Sequence, residues 1–287
     1  MLPPVIGVLF DGLAYGMLLF VLSVGLSVTL GLMNFVNLAH CAFAMLGGYV
    51  TATLVNDYHW PFLATLPVAF LAAAAASVFF ERTLYRRLYG ASDLDQVLLT
   101  IGLAFMSVAA AAYIFGTVQQ PIRTPEFLRG GLSAFGITLG YYRLFLVGVA
   151  LAVTLLLVLG LEHTRFGAMV RAAVDNHRMA RGLGINVGIT FAITFALGSG
   201  LAGLGGALAI EVVGLDSNFA LGFLVYVLII VAVGGLGSIT GSFIAAILIG
   251  VSDIAGKYYA PEFGAFFIYV VMVAVLMWKP AGLFGKR

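Results

Sequence analysis

The residues best placed to do chemistry in this 287-residue chain fall in two short stretches. The first is RAAVDNHRMARGLGI, where Arg171, Asp175 and Arg178 recur at helical spacing along one stripe. Arg171 and Asp175 can pair at i,i+4. Ala172, Ala173, Met179 and Ala180 leave small, soft surfaces, Asn176 lies among the polar positions, and Gly182 and Gly184 close the segment. A short helix of this kind docks into a protein groove or lies on lipid headgroups, and periodicity leaves both open. In the second stretch Asn34, Asn37 and His40 follow at i,i+3,i+6 inside an apolar run, on one broad helical face. Polar groups in lipid are costly and face a cavity or a partner helix. These three therefore line a solute path or hold a helix break by interhelical hydrogen bonds. His40 beside Cys41 has no further His, Cys or carboxylate cluster to complete a metal site, and none is expected.

The other patterns exclude more than they propose. The four His are scattered, and HExxH, GxSxG and paired inward carboxylates are missing, so an enzyme is not expected. No GxxxxGK[ST] stretch exists to cradle ATP phosphates, and no cofactor is expected on this chain. A GxGxxG match at Gly198, Gly200 and Gly203 lies in mid-helix without the strand that a dinucleotide site needs. Its small-xxx-small pairs, Ser199 with Gly203 and Ala202 with Gly206, suit close helix packing instead. Asp11, Glu211 and Asp253 lie near the ends of apolar segments, and Asp253 can pair with Lys257 near the outer surface. Glu211 and Asp216, like Arg123, Glu126 and Arg129, read as solvated positions or as contacts for another protein.

The elements that carry these residues follow from composition. The chain is 62% hydrophobic and 9% charged, against about 25% charge in soluble domains. A soluble globule and a disordered chain are both excluded. The expected fold is all-α: a polytopic helical membrane protein forming a single domain over 1–287. Apolar segments at 12–33, 35–55, 62–80, 97–115, 144–161, 187–210, 219–237, 242–256 and 264–278 predict eight or nine crossings. Two breaks interrupt them: GLMNFVN at 31–37, and GGLGSITG at 234–241 with Gly234, Gly235, Gly237 and Ser238. Broken helices occur at membrane depth where they are buried in protein or line a cavity. Ten of the fourteen Lys and Arg fall in the loops 81–93 and 162–188 and in the tail, on one predicted cytoplasmic face. Nine crossings then place the N-terminus outside. The outer loop 117–143 reads as a turn with a short hairpin, and the inner loop 162–188 as one or two short helices. The start shows no cleavable signal pattern, no internal repeat is visible, and a net charge of +2 suggests no nucleic-acid partner.

Several segments together resemble a known family. RAAVDNHRMARGLGINV resembles the cytoplasmic coupling segment of ABC importer permeases, specifically the branched-chain amino acid permease family. GLMNFVNLAHCAFAMLGGY, LLTIGLAF, TFALGSGLAGLGGAL, VGGLGSITGS and KPAGLFG match the same family in the same order, covering nearly the whole chain. Cys41 departs from the pattern, since relatives carry Gly after NLAH. The resemblance implies a multi-pass subunit of a bacterial inner membrane with its C-terminus cytoplasmic. It implies a homologous second permease, two cytoplasmic ATPase subunits docking on 162–188, and a periplasmic substrate-binding protein. It also implies ATP use by those partners and alternating access for leucine, isoleucine, valine or related amino acids; urea and short amides stay open as substrates. On that basis Arg171→Glu should uncouple ATP hydrolysis from uptake and leave insertion intact. The rivals are an autonomous secondary transporter or channel, and a membrane-anchored subunit with no path of its own.

Overall fold

The computed structural model describes residues 2–285 apart from 34, 123–124 and 135–136. In lipid only a helix satisfies every backbone group of an isolated apolar segment, and helices dominate here. They are α1 Leu2–Met33, α2 His40–Asn56, α3 Phe62–Thr83, α4 Asp93–Phe115, α5 Tyr141–Glu162, α6 Arg165–Asp175, α7 His177–Gly182, α8 Val187–Val213, α9 Phe219–Gly234, α10 Ile239–Tyr259 and α11 Phe267–Trp278. Two strands, β1 Gly131–Ala134 and β2 Ile137–Gly140, pair antiparallel with Leu132 opposite Leu139.

Among the described residues, six helices are long and apolar enough to cross a membrane: α1, α3, α4, α5, α8 and α10. The others that follow the predicted segments are shorter, with 17 residues in α2, 16 in α9 and 12 in α11. The first segment starts at Leu2 rather than 12, and the second at His40 rather than 35. Residues 35–39 are not helical, so Asn37 and His40 do not share the predicted helical face. The Asn37 carboxamide oxygen instead accepts the Ala39 N–H at 3.1 Å, an Asx turn that competes with helix. Asn34 lies outside the described residues, as do Arg123, Lys286 and Arg287.

The core is built around α1 and α8, which run in opposite directions. A Cβ on Gly25 would lie 2.0 Å from the Gly198 carbonyl oxygen, and one on Gly198 would lie 2.8 Å from that of Gly25. Only glycine at both positions lets these backbones touch. α1 packs along α10, and α8 packs along α3 and α2. Each central helix then breaks, at 35–39 and at 214–218, and returns through a shorter helix, α2 or α9. The two units are thus related by inverted topology, which no sequence repeat announces.

The two ends of the bundle differ in charge. At one end lie the last turn of α1, the loop 84–92, α6 and α7, the α9–α10 turn and the tail, joined by Met33 and Tyr89 on Val187 and Phe191, Gly31 on Gly237, and Gly235 on Gly285. The eight described residues of the ten clustered Lys and Arg all fall at this basic end. At the opposite end lie the β-hairpin, the segment 116–122 and the break 214–218. There Arg143 forms an ion pair with Asp11, and the Asn56 amide donates to the Pro121 carbonyl at 2.9 Å.

Candidate functional site

The break after α1 exposes main-chain groups that lipid could not satisfy, so protein must satisfy them. α4 does this. The Val36 N–H donates to Gln96 Oε1 at 2.9 Å, and the Leu38 N–H donates to Thr100 Oγ1 at 3.1 Å. Gln96 and Thr100 are spaced i,i+4, so one face of α4 serves alternate residues of an extended strand. Both are buried, with Gln96 3% exposed. The sequence signal for them was two polar residues one turn apart in the apolar run DQVLLTIGL.

Asn37 and His40 lie inside the protein beside this break. His40 Nε2 faces the Leu22 carbonyl at 2.9 Å; a carbonyl only accepts, so Nε2 carries the proton. Among the described residues, Asn37 Nδ2 and His40 Nδ1 have no hydrogen-bond partner. Buried polar atoms are seldom left this way. The second predicted break is a connection rather than an interruption in mid-membrane. Gly235 and Gly237 have φ of +96° and +76°, and Ser238 caps α10 by accepting the Gly241 N–H at 2.9 Å. Gly234 touches Gly241 across the turn. The tail closes over it: Leu283 and Phe284 N–H groups donate to the Val233 and Gly234 carbonyls at 2.8 and 3.1 Å.

The loop 162–188 folds into two short helices. Thr164 caps α6 by accepting the Gly167 N–H, and Asn176 caps α7 by accepting those of Arg178 and Met179 at 3.1 and 3.0 Å. Gly184, at φ +82°, ends α7. Ala173 and Ala180 turn inward onto Val187 and Phe191, while Ala172 is half-buried. Arg171, Asp175, Arg178 and Gly182 are exposed. The predicted Arg171–Asp175 pair is not made; the Arg171 guanidinium donates to the Leu161 carbonyl and ties α6 to the end of α5. The outward face is apolar as well as basic, with Met179 67% and Leu183 80% exposed. Beside α7 a cleft of about 740 Å³ opens between Arg86, Tyr89, Arg181 and Asn186.

Aromatic rings join this loop to the break. Tyr89 meets Phe191 with centroids 5.5 Å apart, and Phe35 meets Tyr89 at 5.8 Å and Phe195 at 5.5 Å. The Tyr89 hydroxyl donates to Glu81 at 2.7 Å. Burial, then that carboxylate, holds the Tyr89 phenol well above its ordinary pKa, so it stays a donor.

The acids differ in depth. Asp253 is fully buried, accepts from Lys257 Nζ at 2.6 Å and from the Tyr226 hydroxyl at 3.3 Å, and so makes the predicted pair. Glu81, which the sequence patterns did not single out, is buried too. Glu211 is exposed, and Asp216 caps its own turn by accepting the Asn218 N–H. Among the described residues, no three His, Cys, Asp or Glu come together.

Comparison with known proteins agrees with this architecture. Residues 8–276 match the family described as branched-chain amino acid transport system / permease component. The chain is 27% identical to the high-affinity branched-chain amino acid transport system permease protein BraD of Pseudomonas aeruginosa, over 97% of this chain and 95% of that one. It is 30% identical to the probable branched-chain amino acid transport permease protein LivH of Methanocaldococcus jannaschii, over 97% and 92%. It is also 27% identical to the high-affinity branched-chain amino acid transport system permease protein LivM of Escherichia coli, over 93% and 68%.

Proposed function

This chain belongs to the branched-chain amino acid transport permease family, and from that premise we propose that it is the membrane-spanning subunit of an ATP-driven importer for branched-chain or related amino acids. It works with a homologous second permease, two cytoplasmic ATPase subunits and a periplasmic substrate-binding protein. It resides in the inner membrane with its basic end and C-terminus in the cytoplasm, as the positive-inside rule favours.

The observation that carries this reading is the loop 162–188. Its inward face is spent on α8 and α1, while its outward face offers Met179 and Leu183 among arginines. Exposed apolar side chains framed by charge mark a protein docking surface. Force applied there reaches the inner break through Tyr89, Phe191 and Phe35. Alternating access then consists of opening one break while the other stays closed. Asn37 and His40 are the residues that a rearranged inner break would offer to a passing solute, because each holds a polar atom with no partner among the described residues. Gly234, Gly235, Gly237 and Ser238 serve as the fixed turn against which α1 and α10 pack.

Of the two buried carboxylates among the described residues, Asp253 is paired with Lys257 and Glu81 accepts from the Tyr89 hydroxyl, so each is already engaged. This favours the ATP-driven reading over an autonomous carrier. The test is reconstitution in proteoliposomes with the partner subunits and leucine-loaded binding protein. Uptake of leucine that requires ATP and every partner is the expected result. Leucine uptake by this chain alone would overturn the proposal.

A further inference from the structure

The outer break, 214–218, is held by the segment that leaves α4. The Gln119 side chain donates to the Val213 carbonyl at 3.1 Å, and the Gln120 N–H donates to the Leu215 carbonyl at 2.7 Å. Gln120 is itself anchored to α4, because its Nε2 donates to the Phe115 carbonyl at 3.3 Å. At the other end of the same helix, Gln96 and Thr100 hold the inner break. One helix therefore grips both discontinuities, one at each end. Its 23 residues span about 35 Å at 1.5 Å per residue, the depth of the hydrocarbon core.

Between these grips α4 is loosely seated. An open groove of about 360 Å³ lies between it and α2 and α3, lined by Phe43, Phe80, Leu103 and Ser107, and Tyr49 of α2 closes one end of it by stacking on Phe115 of α4 with ring centres 4.1 Å apart. A helix bonded at its ends and underpacked in the middle can shift along its axis as a rigid body at small cost. Such a shift strains the hydrogen bonds at both breaks together. We propose that α4 is a strut that makes the two breaks mechanically dependent, with Gln96 and Gln119 as its positioning residues. The proposal rests on the transport reading for its purpose, while its test needs no transport.

The test uses the full chain in native membranes without ATP, in a Cys41→Ala background, with one cysteine reporter at a time. Ser217→Cys reports on the outer break, Leu38→Cys on the inner break, and Ser242→Cys on the buried α1–α10 contact, where Ser242 now bonds Ser27 at 2.8 Å. Labelling by a small maleimide is timed with and without Gln96→Leu or Gln119→Leu. The strut predicts a change of about fivefold at the far reporter in both crosses, the population shift that loss of one hydrogen bond produces, with Ser242→Cys unlabelled. A change confined to the near reporter overturns the proposal. So does labelling of Ser242→Cys, which would mean general loosening. If Gln96→Leu fails to accumulate, the Gln119→Leu cross decides alone, because the Gln119 side chain is exposed and its loss leaves the core intact. Failure of ATP-dependent uptake would leave these labelling rates untouched, and unlinked labelling would leave uptake standing.

Discussion

Asp253 shows how this protein keeps an ionised group inside a membrane segment. Its carboxylate is fully buried, while Lys257 one turn away is half-exposed and snorkels toward the outer surface with its ammonium 5.9 Å from the Tyr15 ring centre. Removing one partner of such a pair costs far more than removing both, because a lone buried charge has nothing to offset its lost hydration. Lys257→Met is therefore expected to destabilise the chain by about 3 kcal/mol. Adding Asp253→Asn to it should recover most of the loss. Thermal melts of the purified chain in detergent, compared across the two single variants and the double, check this; a double variant as unstable as Lys257→Met would refute the pairing. Arg171 bonds the Leu161 carbonyl rather than Asp175, so Arg171→Glu loosens the α5–α6 corner before it affects any partner.

The proposed docking belongs to α6 and α7 as a unit, each started by a side-chain cap, Thr164 and Asn176. Leu183→Asp puts a charge at the most exposed apolar point of this surface without touching a buried contact. We expect leucine uptake by the assembled transporter to fall about thirtyfold, as when a central apolar contact is lost, while the amount of chain in the membrane is unchanged. Uptake and immunoblot of the same membranes check both parts. Short helix in this loop was legible in the sequence, but the single stripe of Arg171, Asp175 and Arg178 does not form, because Asn176 is extended and breaks the helix between Asp175 and Arg178. The break at 35–39 was legible as a break, from Asn34 and Asn37, but its partners were not. Gln96 is sixty positions from Val36, and no local pattern tells which of many apolar helices will supply the missing hydrogen bonds. For the same reason Asn37 was placed on a helical face: the Asx turn that removes it depends on α4 stabilising the extended segment.

Across the whole molecule, α1 and α8 cross at the centre, and α2, α3, α9 and α10 each pack on one or both of them. Gly198→Leu would drive a side chain into the Gly25 backbone and separate the two inverted units. The expected outcome is chain too unstable to accumulate. Gly222→Ala, with no neighbour within 4 Å of the added Cβ, should accumulate normally. Immunoblots of membranes expressing each variant make the comparison, and equal abundance would mean that the crossing does not organise the bundle. Composition announced a membrane protein and charge announced its basic end. The inverted arrangement leaves no pattern in the sequence because the two units share the order of helix, break and return but few residue identities.

The tail seals the end of α9 with a delay built into the chain. The carbonyls of Val233 and Gly234 have no helical partner until Leu283 and Phe284 arrive, fifty residues later in synthesis. During that interval α10 and α11 must enter the membrane and turn back while the end of α9 is unfinished. The last quarter of the permease thus matures as one cooperative event. A nascent chain stalled or clipped within it presents open backbone and an apolar turn to the proteases that patrol newly made membrane proteins.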